Sequence, residues 1–114
     1  MTPTIRPLER RDLGDLAGTA TARGWAVDLD GKTICVCGVM YTQTLQAFST
    51  VEPEMKRYPK MIVQLGRRVS ELCKNMDAPV FAVPDSQIHP GACRFLEFLG
   101  FVRVDDDLYC WEGR

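Results

Sequence analysis

Residues 89–101 read HPGACRFLEFLGF, and residues 102–111 continue VRVDDDLYCW. Ala92, Phe95, Leu96 and Leu99 recur at helical spacing, and Gly100 follows the last of them, where a glycine takes the left-handed conformation that stops a helix. Pro90 suits a first helical turn, because the N–H it lacks has no partner there. A short helix ending at Gly100 and then an acidic hairpin turning at Asp105, Asp106 and Asp107 are therefore expected. Upstream of the helix, PVFAVP (79–84) is nearly continuous in apolar residues, as in a strand covered on both faces.

Further toward the N-terminus, Met61, Ile62, Leu65, Val69, Leu72 and Cys73 form one apolar stripe, with Lys60, Arg67, Arg68, Glu71 and Lys74 largely off it. This spacing predicts a helix from Pro59 to about Asn75. Thr44–Val51 reads as a strand leading into the loop EPEMKRYP. Trp25–Leu29 and Thr33–Tyr41 read as two antiparallel strands joined at Asp30-Gly31, a favoured tight-turn dipeptide, and Gly24 is read as a break before them. A short strand at Thr4–Arg6 precedes a helix from about Glu9, whose apolar face is Leu8, Leu13 and Leu16 and which Gly14 and Gly18 weaken. The order is β-α-β-β-β-α-β-α-β-β. It predicts one α/β (α+β) domain over residues 1–114, with a central mixed sheet, mostly antiparallel, flanked by about three helices.

A chain of 114 residues with a formal net charge of -1 allows one core and gives no field to hold a polyanion, which disfavours nucleic-acid binding by bulk charge. No apolar run reaches the roughly 18 residues needed to span a bilayer, and MTPTIRPLERRD lacks a signal-peptide core, so a soluble, intracellular protein is expected. Five cysteines fit a reducing compartment. Cys35 and Cys37 share a strand face, while Cys73, Cys93, Cys110 and His89 lack paired spacing, so core packing is expected rather than a metal site. Tyr109 and Trp111 alternate with Cys110 on the last strand, and an exposed aromatic pair there would mark a partner surface.

The element order and the segment from Ala92 to Phe101 resemble the acyl-CoA N-acyltransferase (GNAT) superfamily. Its members often carry Asn at the place of His89, Ala at Ala92, an aromatic near Phe95 and a closing Leu-Gly-Phe, as Leu99, Gly100 and Phe101 are here. Thr4-Ile5-Arg6-Pro7 resembles the usual family opening. The resemblance implies acetyl-CoA as cofactor, its pyrophosphate held by a Gly-rich turn after the fourth strand. Here that turn is Val51-Glu52-Pro53-Glu54-Met55-Lys56-Arg57-Tyr58-Pro59-Lys60-Met61, with Pro59 and Met61 about where glycines belong. Proline removes a donor and methionine puts a side chain where backbone must approach the ligand. Many members also place a proton-donating Tyr at the position of Leu96, and leucine moves no proton.

The short chain and the altered loop are similar to a branch in short-tailed bacteriophages, where a GNAT-like protein is an internal virion or morphogenesis protein. That likeness implies a phage-encoded protein in the host cytoplasm or the virion, with a degenerate acetyl-CoA site, acting in virion assembly or ejection or on a host protein. The alternative is an acetyl-CoA-dependent N-acetyltransferase acting on an amine of a small molecule or protein. For that activity the candidate bases are His89, whose ordinary pKa lies near neutrality, and Glu52. The candidate cofactor-binding residues are Val51 together with Lys56, Arg57 and Lys60, which lie where a helix dipole welcomes an anion. A loop histidine is as readily a cap, and exposed cations are as readily solvated.

Overall fold

The computed structural model describes residues 2–16, 21–84 and 91–111, with the backbone alone described at Asp15 and Leu16. Seven strands form one sheet: β1 (Thr4–Pro7), β2 (Thr21–Leu29), β3 (Lys32–Tyr41), β4 (Leu45–Val51), β5 (Val80–Ala82), β6 (Phe101–Asp105) and β7 (Leu108–Trp111). They lie side by side in the order β1-β2-β3-β4-β5-β7-β6. Every neighbouring pair is antiparallel except β4 and β5. Two α-helices are described, α1 (Pro59–Lys74) and α2 (Ala92–Leu99). The fold is therefore a mixed α+β domain built on a mostly antiparallel sheet.

The expected first helix is instead a 3-10 segment, Arg10–Leu16, interrupted at Gly14, whose φ of 53° and ψ of -129° lie outside any helix. Of its anticipated apolar face, Leu13 is buried. Arg6 holds the segment down: its Nη1 and Nη2 donate to the two oxygens of Asp12 at 2.8 and 2.7 Å, and its Nε donates to Asp28 Oδ2 at 2.7 Å. Thr33 Oγ1 donates to Asp28 at 2.8 Å, so one guanidinium ties β1, β2, β3 and the 3-10 segment together. Asp12 also accepts the Glu9 backbone N–H at 2.8 Å.

The hairpin turn stands where the dipeptide placed it, with positive φ at both Asp30 (53°) and Gly31 (80°), as its tight turn type requires. Gly24, expected to interrupt the chain, lies inside β2 directly opposite Gly38 of β3. The two backbones pass so closely that a Cβ on Gly24 would lie 2.0 Å from the Cys37 carbonyl oxygen. Gly24 therefore serves strand contact rather than strand termination. A bulge near Val27 and Asp28 leaves Ile34 as the extra residue of β3, and Ile34 and Cys35 both join the core.

That core lies between the sheet and the helices. Cys35, Cys37 and Val39 of β3 meet Leu65, Val69 and Cys73 of α1, with Val80, Ala82, Phe101 and Tyr109 extending it toward the last strands. The α1 stripe read from the sequence is this buried face. Alpha helix α2 packs across α1 at Gly66, where an added Cβ would lie 2.8 Å from Phe95 Cζ and 2.9 Å from Leu99 Cδ2. Ser70 Oγ donates to the Leu99 carbonyl at 3.0 Å, and Gly100 closes α2 at φ 112°. No helix among the described residues is long and apolar enough to cross a membrane.

Candidate functional site

The parallel pair β4 and β5 sets the geometry of the candidate site. Their register covers only Leu45 with Val80 and Gln46 with Phe81. Strand β4 then continues to Val51, still paired with β3, while β5 ends at Ala82 beside Tyr109 of β7. Beyond Gln46, no pairing joins β4 to β5 among the described residues, so that edge of β4 has no described partner. Val51 lies at the end of that edge, and the loop that follows leads into the N-terminus of α1.

The same loop decides what this edge can hold. It folds into a 3-10 segment, Pro53–Arg57, and four backbone donors of the loop bond within the chain. Glu52 N–H donates to the Ile34 carbonyl, Met55 N–H to Glu52, and Tyr58 and Met61 N–H to Met55 and Tyr58 respectively, at 2.9 to 3.1 Å. Pro53 and Pro59 carry no N–H at all. Met55 is fully buried, and Tyr58 and Met61 pack against the core, so apolar side chains stand where a phosphate cradle needs exposed backbone. The residues present do not fit a backbone-held pyrophosphate.

Charge is more favourable than geometry. Lys56 and Arg57 end the 3-10 segment and Lys60 stands in the first turn of α1, all three exposed. None has an ion pair among the described residues, and no acidic residue occupies that first turn. Cations at the positive end of a helix dipole repel it unless an anion arrives. Glu52 is half-buried after β4, while Glu54 pairs with Lys32 at 2.6 Å, which holds its carboxyl below the ordinary range. His89, with Pro90, Asp85 and Ser86, lies outside the described residues. The structure thus brings Val51, Glu52, Lys56, Arg57 and Lys60 to one loop and helix start.

Tyr109 and Trp111 do not form an exposed aromatic pair. Tyr109 is buried under α2, and the Trp111 indole nitrogen is buried without a hydrogen-bond partner. The Tyr109 phenol meets the Cys93 thiol of α2, a contact that raises its pKa. Sequence spacing gave no sign of this pair, because Cys93 and Tyr109 meet only once α2 folds back over β7. Leu96 packs on the core as an apolar side chain. Cys35 and Cys37 are buried neighbours, and the Cys35 sulfur and then burial push the Cys37 thiol up; burial pushes Cys73 up to about 12. Cys37 and Cys73, held protonated, are poor nucleophiles and poor ligands. No cluster of His, Cys, Asp or Glu among the described residues is placed to hold a metal ion. Comparison with family models, with curated proteins and with solved structures returns no match.

Proposed function

We propose that the chain is a GNAT-like domain whose acetyl-CoA site has lost its chemistry and which works by protein contact, in phage virion assembly or ejection or on a host protein. The observation that carries this reading is the bonding within the chain of four loop donors between Val51 and Met61, together with the two prolines that have none. A pyrophosphate at a helix start is held by free backbone N–H groups, and charge alone does not supply their geometry. Leu96, at the place of the family's proton donor, supports the same reading. Calorimetric titration of the full chain with acetyl-CoA should give no saturable heat. Saturable binding accompanied by acetyl transfer to an amine overturns the proposal. A virion part should co-purify with particles, whereas a host-directed protein should be captured with its target from host lysate.

A second reading, a working N-acetyltransferase, is favoured by the end of the β4–β5 pairing after Gln46 and by Lys56, Arg57 and Lys60 at the loop, which have no ion pair among the described residues. These cations would hold the cofactor phosphates by charge, with Glu52 or His89 as base. Charge reversal at Lys56 and Arg57 should then abolish acetyl-CoA binding, and unchanged affinity excludes this version.

A further inference from the structure

On its flank toward β2, α1 borders an open groove of about 610 Å³, floored by Trp25 and lined by Lys60, Val63, Arg67, Arg68 and Leu72. The groove follows the helix from Lys60 to Asn75, about 22 Å at the usual rise per residue. Its charge is one-sided, since Glu71 is its single acid against three cations. Glu71 stands four residues after Arg67 and three after Arg68, the spacings at which helix ion pairs form. Neither arginine is ion-paired to it; the Arg68 guanidinium lies 5.9 Å over the Trp25 ring and that of Arg67 lies 5.9 Å over Phe98. Stacking on an aromatic face orients a guanidinium without using its N–H donors, which remain free for carboxylates. Lys60 has no ion-pair partner among the described residues.

We propose that this groove docks an acidic segment of a partner protein, with carboxylates on Lys60, Arg67 and Arg68 and apolar side chains on Trp25, Val63 and Leu72. Charge complementarity selects the partner's sign, and the apolar floor between the cations selects side chains over a phosphate backbone. A single aromatic platform and a chain net charge of -1 are a poor basis for a polynucleotide track, which combines a basic groove with successive stacking rings. The inference rests on the interaction role proposed above and names its partner class. Lys60 is shared with the loop that acetyl-CoA would reach, but Arg67 and Arg68 lie outside that loop, so reversing these two reads the two failures separately.

The test uses the full chain and a fluorescein-labelled peptide of alternating glutamate and leucine, about seven residues long to match the groove when extended. Fluorescence anisotropy should show saturable binding that weakens with added salt. Binding should fall at least about tenfold in the Arg67→Glu/Arg68→Glu double variant, since reversing rim charges alters both attraction and encounter. Both arginines are exposed, and an unchanged thermal melt verifies that the variant is folded. Equal binding of the glutamine-for-glutamate peptide, indifference to the double reversal, or tighter binding of an oligothymidylate each overturns the proposal. Loss of peptide binding in the double variant with acetyl-CoA calorimetry unchanged supports it.

Discussion

Replacing Gly24 by alanine should destabilise the protein strongly, although the same change elsewhere in a strand is often beneficial. An alanine that fits its site stabilises by about 0.4 to 1 kcal/mol through the unfolded chain. At Gly24 the new Cβ would lie 2.0 Å from the Cys37 oxygen and 2.7 Å from the Gly38 Cα. Carbon and oxygen in close contact between strands sit roughly 3.3 Å apart, so β2 and β3 must separate by about 1 Å. No side chain can relieve this, because both obstructing atoms belong to backbone. Separation on that scale stretches the nearby ladder bonds past their working range, and two or three bonds at about 1 kcal/mol each give a loss of about 3 kcal/mol. Ala26 and Val27, both fully buried beside the contact, would be loosened as well. A domain of this size has a stability of about 6 to 17 kcal/mol, so the variant should fold, with its melting temperature lowered by about 15 °C. Thermal melts by circular dichroism and urea midpoints measure the loss. Gly38→Ala should cost somewhat more, because Gly38 also holds a φ of 157°, and the double variant should cost less than the two single losses together, because one separation relieves both contacts. A Gly24→Ala protein that melts at or above the parent temperature refutes the close-approach reasoning.

Arg6→Met should lower stability by about 2 kcal/mol at neutral pH, the scale of losing charge-assisted hydrogen bonds at a partly buried site. Hydrogen bonds from Arg6 hold both Asp12 and Asp28 below the ordinary carboxylate range, so the contribution is complete above about pH 4 and is lost as pH falls through the depressed values. Urea midpoints of parent and variant should therefore converge on acidification, and a constant difference down to pH 2 excludes the linkage. In native protein, Cys35, Cys37 and Cys73 should resist a thiol reagent at pH 8, since all three are buried. Rapid modification of all five thiols before unfolding would contradict that placement.

Much of the architecture could be read before the structure because several signals were local. Asp30-Gly31, the α1 stripe and Gly100 each fix a backbone conformation from neighbouring residues alone. Local signals mislead where distant groups decide the conformation. Gly24 looks like a break until Gly38 is seen across from it, when it becomes a point where two strands nearly touch. Leu8, Leu13 and Leu16 suggest a helix, but Gly14 and the grip of Arg6 on Asp12 keep the segment as 3-10 turns. Alternation puts Tyr109 and Trp111 on one face of β7 but leaves open whether that face is covered, and it is α2 that covers Tyr109. For the candidate site, the sequence supplied the cations and the prolines; the internal bonding of the Met55, Tyr58 and Met61 donors required the backbone.

The end of the β4–β5 pairing and the loop beside it have separate physical origins, and this separation matters for function. Strand β4 is held along its whole length by seven pairings with β3, while β5 is held by β7. Each leg is anchored on its outer side, and the pairing between them stops after Gln46 because β5 is only three residues long. The phosphate-holding capacity depends instead on which N–H groups the loop leaves free, and here Met55, Tyr58 and Met61 spend theirs inside the chain. Met55 is buried to completion by that turn. The loop thus gains core packing by the same conformation that withdraws its donors, and freeing them would expose apolar surface worth about 2 kcal/mol at Met55 alone. The pairing of β4 with β5 and the donors of the loop are therefore set independently, and the loop, rather than the pairing, is the part of this fold from which phosphate-holding capacity should be judged.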